Sequence, residues 1–153
     1  MSEFDEIFKK ESVFFVVGAS RDENKFGQKV FKDLLGAGYG VVAINHHFES
    51  GEEYLGTPGY PDLLAATARV EDLFDEGRKQ ELIKNMVVVV VIPPDAGLGV
   101  VKQALEHGIT KFWFQPGAES EEMIKTIGDA NAIVIHGQCI MVQKPKKNTD
   151  ATT

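Results

Sequence analysis

The longest apolar run in the chain, Met86 to Ile92 (MVVVVVI), is the feature that most restricts the fold. It is far shorter than the roughly 20 residues that a membrane helix needs. It has no alternating polar positions either, so both of its faces must be buried. Continuous runs of this kind are typical of central strands in parallel sheets that carry helices on both faces. The run ends at Pro93 and Pro94, because proline cannot continue a ladder of hydrogen bonds.

Shorter strands alternate with amphipathic helices around this run. Strands are predicted at 13–17, 40–45, 111–115 and 132–137, with a short one near Tyr54, and helices at 28–37, 68–85 with a break near Gly77, 96–105 and 119–127. In the first helix Gln28 is assigned to the solvent face, opposite Val30 and Phe31. The alternation predicts βαβ units in a doubly wound parallel sheet of about five to six strands, in the order 3-2-1-4-5-6, between two layers of helices.

Right-handed crossovers bring the turns that follow the strands to one edge of such a sheet, where ligands bind. The turns expected there are Gly18 to Ser20, Asn45 to His47, Pro93 to Asp95, Gln115 to Gly117 and His136 to Cys139. We expect one domain over residues 1–143 and a disordered tail over residues 144–153.

Charge and composition narrow the function classes. A formal net charge of -7 disfavours a nucleic-acid-binding protein, because phosphate neutralisation supplies most of that affinity. The first residues are acidic, unlike a signal peptide, and no apolar run is long enough for a membrane helix. The single cysteine, Cys139, fits a reducing compartment. We therefore expect a cytoplasmic protein without a nucleic-acid or membrane partner.

The segment VFFVVGASRDENKFG, Val13 to Gly27, is typical of a strand, a small-residue turn and the start of a helix. Such a turn presents backbone N–H groups and the positive end of a helix to an anion. An NAD site would need G-x-G-x-x-G and an acidic residue about 20 positions further on. Here Ala19 and Ser20 follow Gly18, and the second strand ends in Asn45, so both marks are missing. The G-x-x-x-x-G-K-[ST] pattern of a P-loop is absent from the sequence as well.

Several blocks in a fixed order resemble one family. The blocks are VVGAS with KFG, AIN, GYPDL, VVVVVIPP, FWFQPGAESEE and HGQCIMV, and they cover about Val13 to Val142. The chain resembles the small stand-alone coenzyme A-binding proteins, which are related to the N-terminal CoA-binding domain of the succinyl-CoA synthetase α subunit. The resemblance implies a Rossmann-like domain that binds CoA or an acyl-CoA.

The resemblance also implies site residues. The turn of Gly18, Ala19 and Ser20 is expected to face the phosphates, with Lys25, Phe26 and Gly27 beside it. Asn45 and His46 are expected near the adenosine ribose, Pro93 and Pro94 along the slot between the two halves of the sheet, and Gln115 and Gly117 at the fourth-strand turn. No catalytic or metal-binding residue is assigned. The binding partner that the resemblance implies is the small molecule CoA. Whether the chain also forms a homo-oligomer or binds a CoA-using enzyme stays open.

The chain departs from the family pattern at two places, and two alternative functions stay open. The stretch between Leu64 and Met86 is longer than usual in the family. His46 and His47 stand where the family commonly has a proline and a basic residue, and adjacent side chains on a strand end are expected to point apart and make a poor metal pair. Cys139 is either a buried small hydrophobe or a thiol beside the pantetheine end, and His136 is a candidate partner for it. An acyl- or thiol-exchange enzyme using these residues is the first alternative, and an NAD-type oxidoreductase or sensor is the second.

Overall fold

The computed structural model describes residues 2–73 and 75–145. In these ranges the strands are β1 Val13–Val17, β2 Gly40–Ile44, β3 Glu52–Tyr54, β4 Thr57–Tyr60, β5 Met86–Val90, β6 Lys111–Phe114 and β7 Ile133–Ile135. The helices are α1 Glu3–Ile7, α2 Phe26–Gly36, α3 Leu63–Leu73, α4 Glu76–Lys84, α5 Pro94–Glu106, α6 Glu121–Asp129 and α7 Ile140–Gln143. No helix within these ranges combines the length and the apolar character needed to cross a membrane.

One sheet contains all seven of these strands, in the order β3-β4-β2-β1-β5-β6-β7. Every neighbouring pair is parallel except β3 and β4, which form an antiparallel hairpin. Without β3, the strands follow the predicted order 3-2-1-4-5-6, which confirms the doubly wound fold. The predicted strand number was too low, because Leu55 and Gly56, both with positive φ, turn the chain into a hairpin near Tyr54.

Both faces of the sheet are buried, as the central run predicts. Phe14 and Val16 of β1 point into one apolar cluster, which α1, α2 and α7 cover. Phe15 and Val17 point into the other, which includes residues of α3, α5 and α6. The register pairs Val13–Val17 with Gly40–Ile44 on one side and with Met86–Val90 on the other, so the strands around β1 end at the same edge.

Two helical regions differ from the predictions. The helix predicted over 68–85 with a break near Gly77 is two helices, α3 and α4, and α4 begins after Asp75 rather than after Gly77. Asp75 caps α4 by accepting a hydrogen bond from the Arg78 N–H. At the start of the chain, where no element was predicted, α1 begins with a capping box formed by Ser2 and Asp5.

The predicted tail lies largely outside the described residues. Within the described part, Lys144 Nζ lies 2.9 Å from Asp33 Oδ2 on α2. This buried oxygen has no hydrogen bond of good geometry, so the charge of Lys144 is what compensates it.

Candidate functional site

A cavity of about 700 Å³ opens at the edge where the parallel strands end. Its walls come from the turns after β1, β5 and β6, from the start of α2 and from the start of α7. The lining residues are Gly18, Asn24 to Gly27, Val91 to Pro94, Gln115 to Ala118 and Cys139. The cavity is thus lined by residues from four of the five turns that were predicted to meet at this edge.

Gly18 and Gly27 let the turn after β1 sit directly on α2. Gly18 has a φ of +111°, and its N–H donates to the Ile44 carbonyl at 3.0 Å. A Cβ on Gly27 would lie 1.9 Å from the Gly18 carbonyl oxygen. Only a glycine at 27 permits this approach, so the two glycines bring the turn and the helix start together.

Three side chains hold the carbonyl groups of this turn. Asn45 Nδ2 donates to the Ala19 oxygen at 2.7 Å, and Gln28 Nε2 donates to the Ser20 oxygen at 2.9 Å. The Tyr54 hydroxyl donates to the same Ser20 oxygen at 2.6 Å. The assignment of Gln28 to the solvent face was wrong: the residue is buried, because its amide finds a backbone partner inside.

The first turn of α2 leaves backbone donors at the cavity. Lys25 is the N-cap residue and makes no side-chain cap hydrogen bond. Among the described residues, none accepts a hydrogen bond from the N–H of Phe26 or Gly27. The first turn of α2 also carries no acidic side chain. Such a helix start favours an anion through its free donors and its dipole.

Proline, glycine and glutamine shape the other half of the cavity. Pro93 caps α5 and Pro94 begins it. Gln115 is buried at the end of β6, and Gly117 follows with a φ of +92°. The side chain of Gln115 accepts from the Ile140 N–H at 2.7 Å and donates to Cys139 Sγ at 3.3 Å. It therefore fixes the start of α7, and with it the half-buried Cys139 thiol, in the cavity wall.

Four of the predicted site residues lie away from the cavity lining. Ala19 and Ser20 form the turn behind it, and Asn45 binds that turn. His46 is exposed, and its ring lies 3.9 Å from the His47 ring, centroid to centroid. The expectation that these two side chains point apart was wrong, because they follow β2 in a turn and do not extend the strand. Among the described residues, no group of three or more histidine, cysteine, aspartate or glutamate side chains could hold a metal ion.

The two candidates for thiol exchange, His136 and Cys139, have different surroundings. His136 is exposed and is not part of the cavity wall, and Cys139 Sγ accepts a hydrogen bond from Gln115 Nε2 instead. Trp113 is fully buried, and its indole N–H donates to the Gln138 carbonyl at 2.9 Å. It is a core residue beside the site.

Sequence reasoning missed several of the lining residues. Each of them lies within two positions of a predicted site residue, and one, Pro116, lies inside the turn Gln115 to Gly117 that the edge rule located. They are Asn24, Val91, Ile92, Pro116 and Ala118.

Doubly wound sheets bind several classes of nucleotide at this edge, and comparison with known families shows which family the chain belongs to. A family model described as a CoA binding domain matches residues 12–145. The chain belongs to this CoA-binding domain family. The match covers all seven strands and leaves α1 outside it.

Solved structures share this fold. A conserved hypothetical protein from Pyrococcus furiosus is 34% identical, with a TM-score of 0.67 over 87% of this chain and 98% of its own. A hypothetical protein from Pyrococcus horikoshii is 26% identical, with a TM-score of 0.70 over 93% of this chain and 89% of its own. The fold also occurs in a dinucleotide-forming acetyl-coenzyme A synthetase of Ca. Korarchaeum cryptofilum, solved with phosphate and ADP. That likeness is at 23% identity and a TM-score of 0.59, and covers 88% of this chain but 27% of the synthetase.

Proposed function

We propose that this CoA-binding domain binds coenzyme A or an acyl-CoA in the cavity at the ends of the strands and acts as a binding protein. The observation that carries the proposal is the free start of α2 beside the Gly18 turn, within a chain that belongs to a CoA-binding family. Backbone donors suit a diphosphate, because they need no compensating charge and are already oriented.

In this proposal the ligand runs across the strand ends. The diphosphate lies at the N–H groups of Phe26 and Gly27, with the Lys25 ammonium beside it. The pantetheine arm passes Pro93 and Pro94 and ends near Gln115 and Gly117. Neighbouring strands lie about 4.8 Å apart, so β1 and β6, two strands apart, are separated by roughly 10 Å. An extended pantetheine arm spans that distance.

Calorimetry with a matched pair of variants tests the proposal. CoA should bind saturably, and Lys25→Ala should weaken the binding about 3- to 10-fold, as expected for one partly exposed contact to a phosphate. Lys32→Ala removes an exposed lysine from the same helix but away from the cavity, and should leave the affinity within about twofold. If no binding is seen at millimolar CoA while NADH binds tightly, the proposal is wrong and an NAD-type function is favoured.

One observation favours a second function, thiol exchange at Cys139. The thiol lies in the cavity wall and is only half-buried, so the thiol end of the ligand can reach it. In this alternative the Cys139 thiolate attacks one sulfur of a CoA disulfide. A protein–CoA mixed disulfide forms, and one CoA leaves as its thiolate.

Mass spectrometry separates the two functions. Under thiol exchange, incubation with CoA disulfide adds one covalent CoA, dithiothreitol removes it, and Cys139→Ser takes up none. An unmodified wild-type chain that nevertheless binds CoA would leave binding as the function.

A further inference from the structure

The β3–β4 hairpin contacts the turn after β1 at Ser20 and at Arg21, the residue that follows it. The Ser20 carbonyl accepts from the Tyr54 hydroxyl at 2.6 Å. Arg21 Nη2 donates to Glu52 Oε2 at 2.6 Å and to the Glu53 carbonyl at 2.7 Å. The guanidinium also lies over the Tyr54 ring, 5.6 Å from its centroid. The turn is therefore held from the hairpin side by both a buried and an exposed contact.

Tyr54 connects the hairpin, the turn and α2 at one point. Its side chain is fully buried. Its ring packs edge-on against Phe31 of α2, with the centroids 4.8 Å apart, and at a tilt against Phe48, with the centroids 5.4 Å apart. Burial raises the pKa of the Tyr54 phenol, so the hydroxyl is a protonated donor at neutral pH. Since α2 supplies the free N–H groups, one side chain fixes the position of the turn relative to those donors.

The direction of the Ser20 carbonyl determines whether the turn repels or tolerates an anion beside it. The oxygen accepts two hydrogen bonds, from Tyr54 and from Gln28, and so both of its lone pairs are engaged away from the cavity. A peptide free to rotate could turn its negative oxygen toward a bound phosphate. Rotation here would break both hydrogen bonds, one of them with a fully buried hydroxyl.

We propose that Tyr54 is a positioning residue for the diphosphate of the ligand, acting through the Ser20 peptide, and that the β3–β4 hairpin thereby sets the affinity for the diphosphate half. Tyr54 does not line the cavity, so its effect is indirect. The inference rests on the proposed function, because it concerns the same site.

Binding of two diphosphate ligands to matched tyrosine variants tests the inference. Tyr54→Phe removes only the hydroxyl and should raise the Kd of both CoA and ADP about 3- to 10-fold, by the same factor for each. Tyr39→Phe is the control, because Tyr39 is a partly buried tyrosine that packs against Phe8 and Phe14, outside the cavity. It should change neither Kd by more than about twofold.

Amide hydrogen exchange of the free protein adds a readout that general destabilisation would not reproduce. Exchange in the turn, residues 18–22, should be faster in Tyr54→Phe than in Tyr39→Phe after correction for global stability from urea unfolding. Gln28→Met removes the other donor to the same oxygen and should reproduce both effects. It serves as the second variant if Tyr54→Phe fails to fold.

Each outcome has one meaning. Unchanged Kd values in a folded Tyr54→Phe, or an equal loss in Tyr39→Phe, would overturn the positioning role while wild-type binding of CoA keeps the proposed function. A wild-type chain that binds neither CoA nor ADP would overturn both.

Discussion

Gly27 lies where the first turn of α2 meets the turn after β1. The Gly18 and Ala19 N–H groups both donate to the Ile44 carbonyl, so the turn cannot retreat without losing these hydrogen bonds. A methyl group at 27 would overlap the Gly18 oxygen at 1.9 Å, and the helix would have to move. The approach at Gly27 is therefore a contact between two backbone segments.

Replacement of this glycine should separate the helix from the turn. We expect Gly27→Ala to lower the free energy of unfolding by about 1–3 kcal/mol, the usual cost of overpacking, and to weaken CoA binding. Gly36→Ala in the same helix is the control, because nothing lies within 4 Å of its added Cβ. It should be neutral or stabilising by about 0.5–1 kcal/mol. Urea unfolding measures both, and equal stabilities for the two variants would contradict the steric account.

At the scale of elements, the turns were predictable and their supports were not. The run ending in Pro93 and Pro94 identified the central strand because its pattern depends on burial alone. Gln28 was assigned to solvent because helical periodicity registers polarity and not the presence of a buried partner. The hairpin at Tyr54 was predicted as one strand because its turn contains a positive φ at Leu55, a conformation that a leucine rarely adopts.

The contact between the hairpin and the turn should be sensitive to acid. The hydrogen bond from Arg21 lowers the pKa of Glu52 below its usual 4.5, with help from the Glu49 N–H. A carboxyl whose pKa is lower in the folded state contributes stability above 4.5 and loses that contribution as the pH falls through the folded pKa. Wild type should therefore exceed Glu52→Gln in stability at neutral pH, and the difference should shrink below 4.5.

A double-mutant cycle checks the source of this pH dependence. In an Arg21→Gln background, the guanidinium that lowers the pKa is gone, so the effect of Glu52→Gln on stability should lose most of its change with pH. Urea unfolding from neutral pH to about pH 3 covers the relevant window. A pH-dependent effect of the same size in both backgrounds would assign it to another group.

At the scale of the whole molecule, α1 closes one face of the sheet although it lies outside the matched family segment, residues 12–145. Ile7 is fully buried, and Phe4 and Phe8 lie 5.5 and 5.6 Å from the Trp113 ring, centroid to centroid. The Glu6 carbonyl accepts from Lys111 Nζ at 2.9 Å. Burial lowers the pKa of Lys111, because the covered ammonium group loses hydration. A five-residue helix gives little sequence signal and is stable only through these contacts.

Removal of residues 2–10 should therefore destabilise the domain by roughly 3–6 kcal/mol, from the lost burial of three large apolar side chains. Trp113, the single tryptophan, reports the exposure directly: its emission should shift to the red in the truncated chain under native conditions. Leu64→Ala, a change at an exposed residue of α3, should leave both the midpoint of thermal unfolding and the emission of Trp113 unchanged. A truncated chain that keeps the wild-type midpoint and emission would show that the aromatic face is closed without α1. Trp113 also donates a hydrogen bond to the Gln138 carbonyl, next to Cys139. If the truncated chain shows both the red shift and faster amide hydrogen exchange at residues 138–140, then α1 stabilises the cavity wall as well as the core.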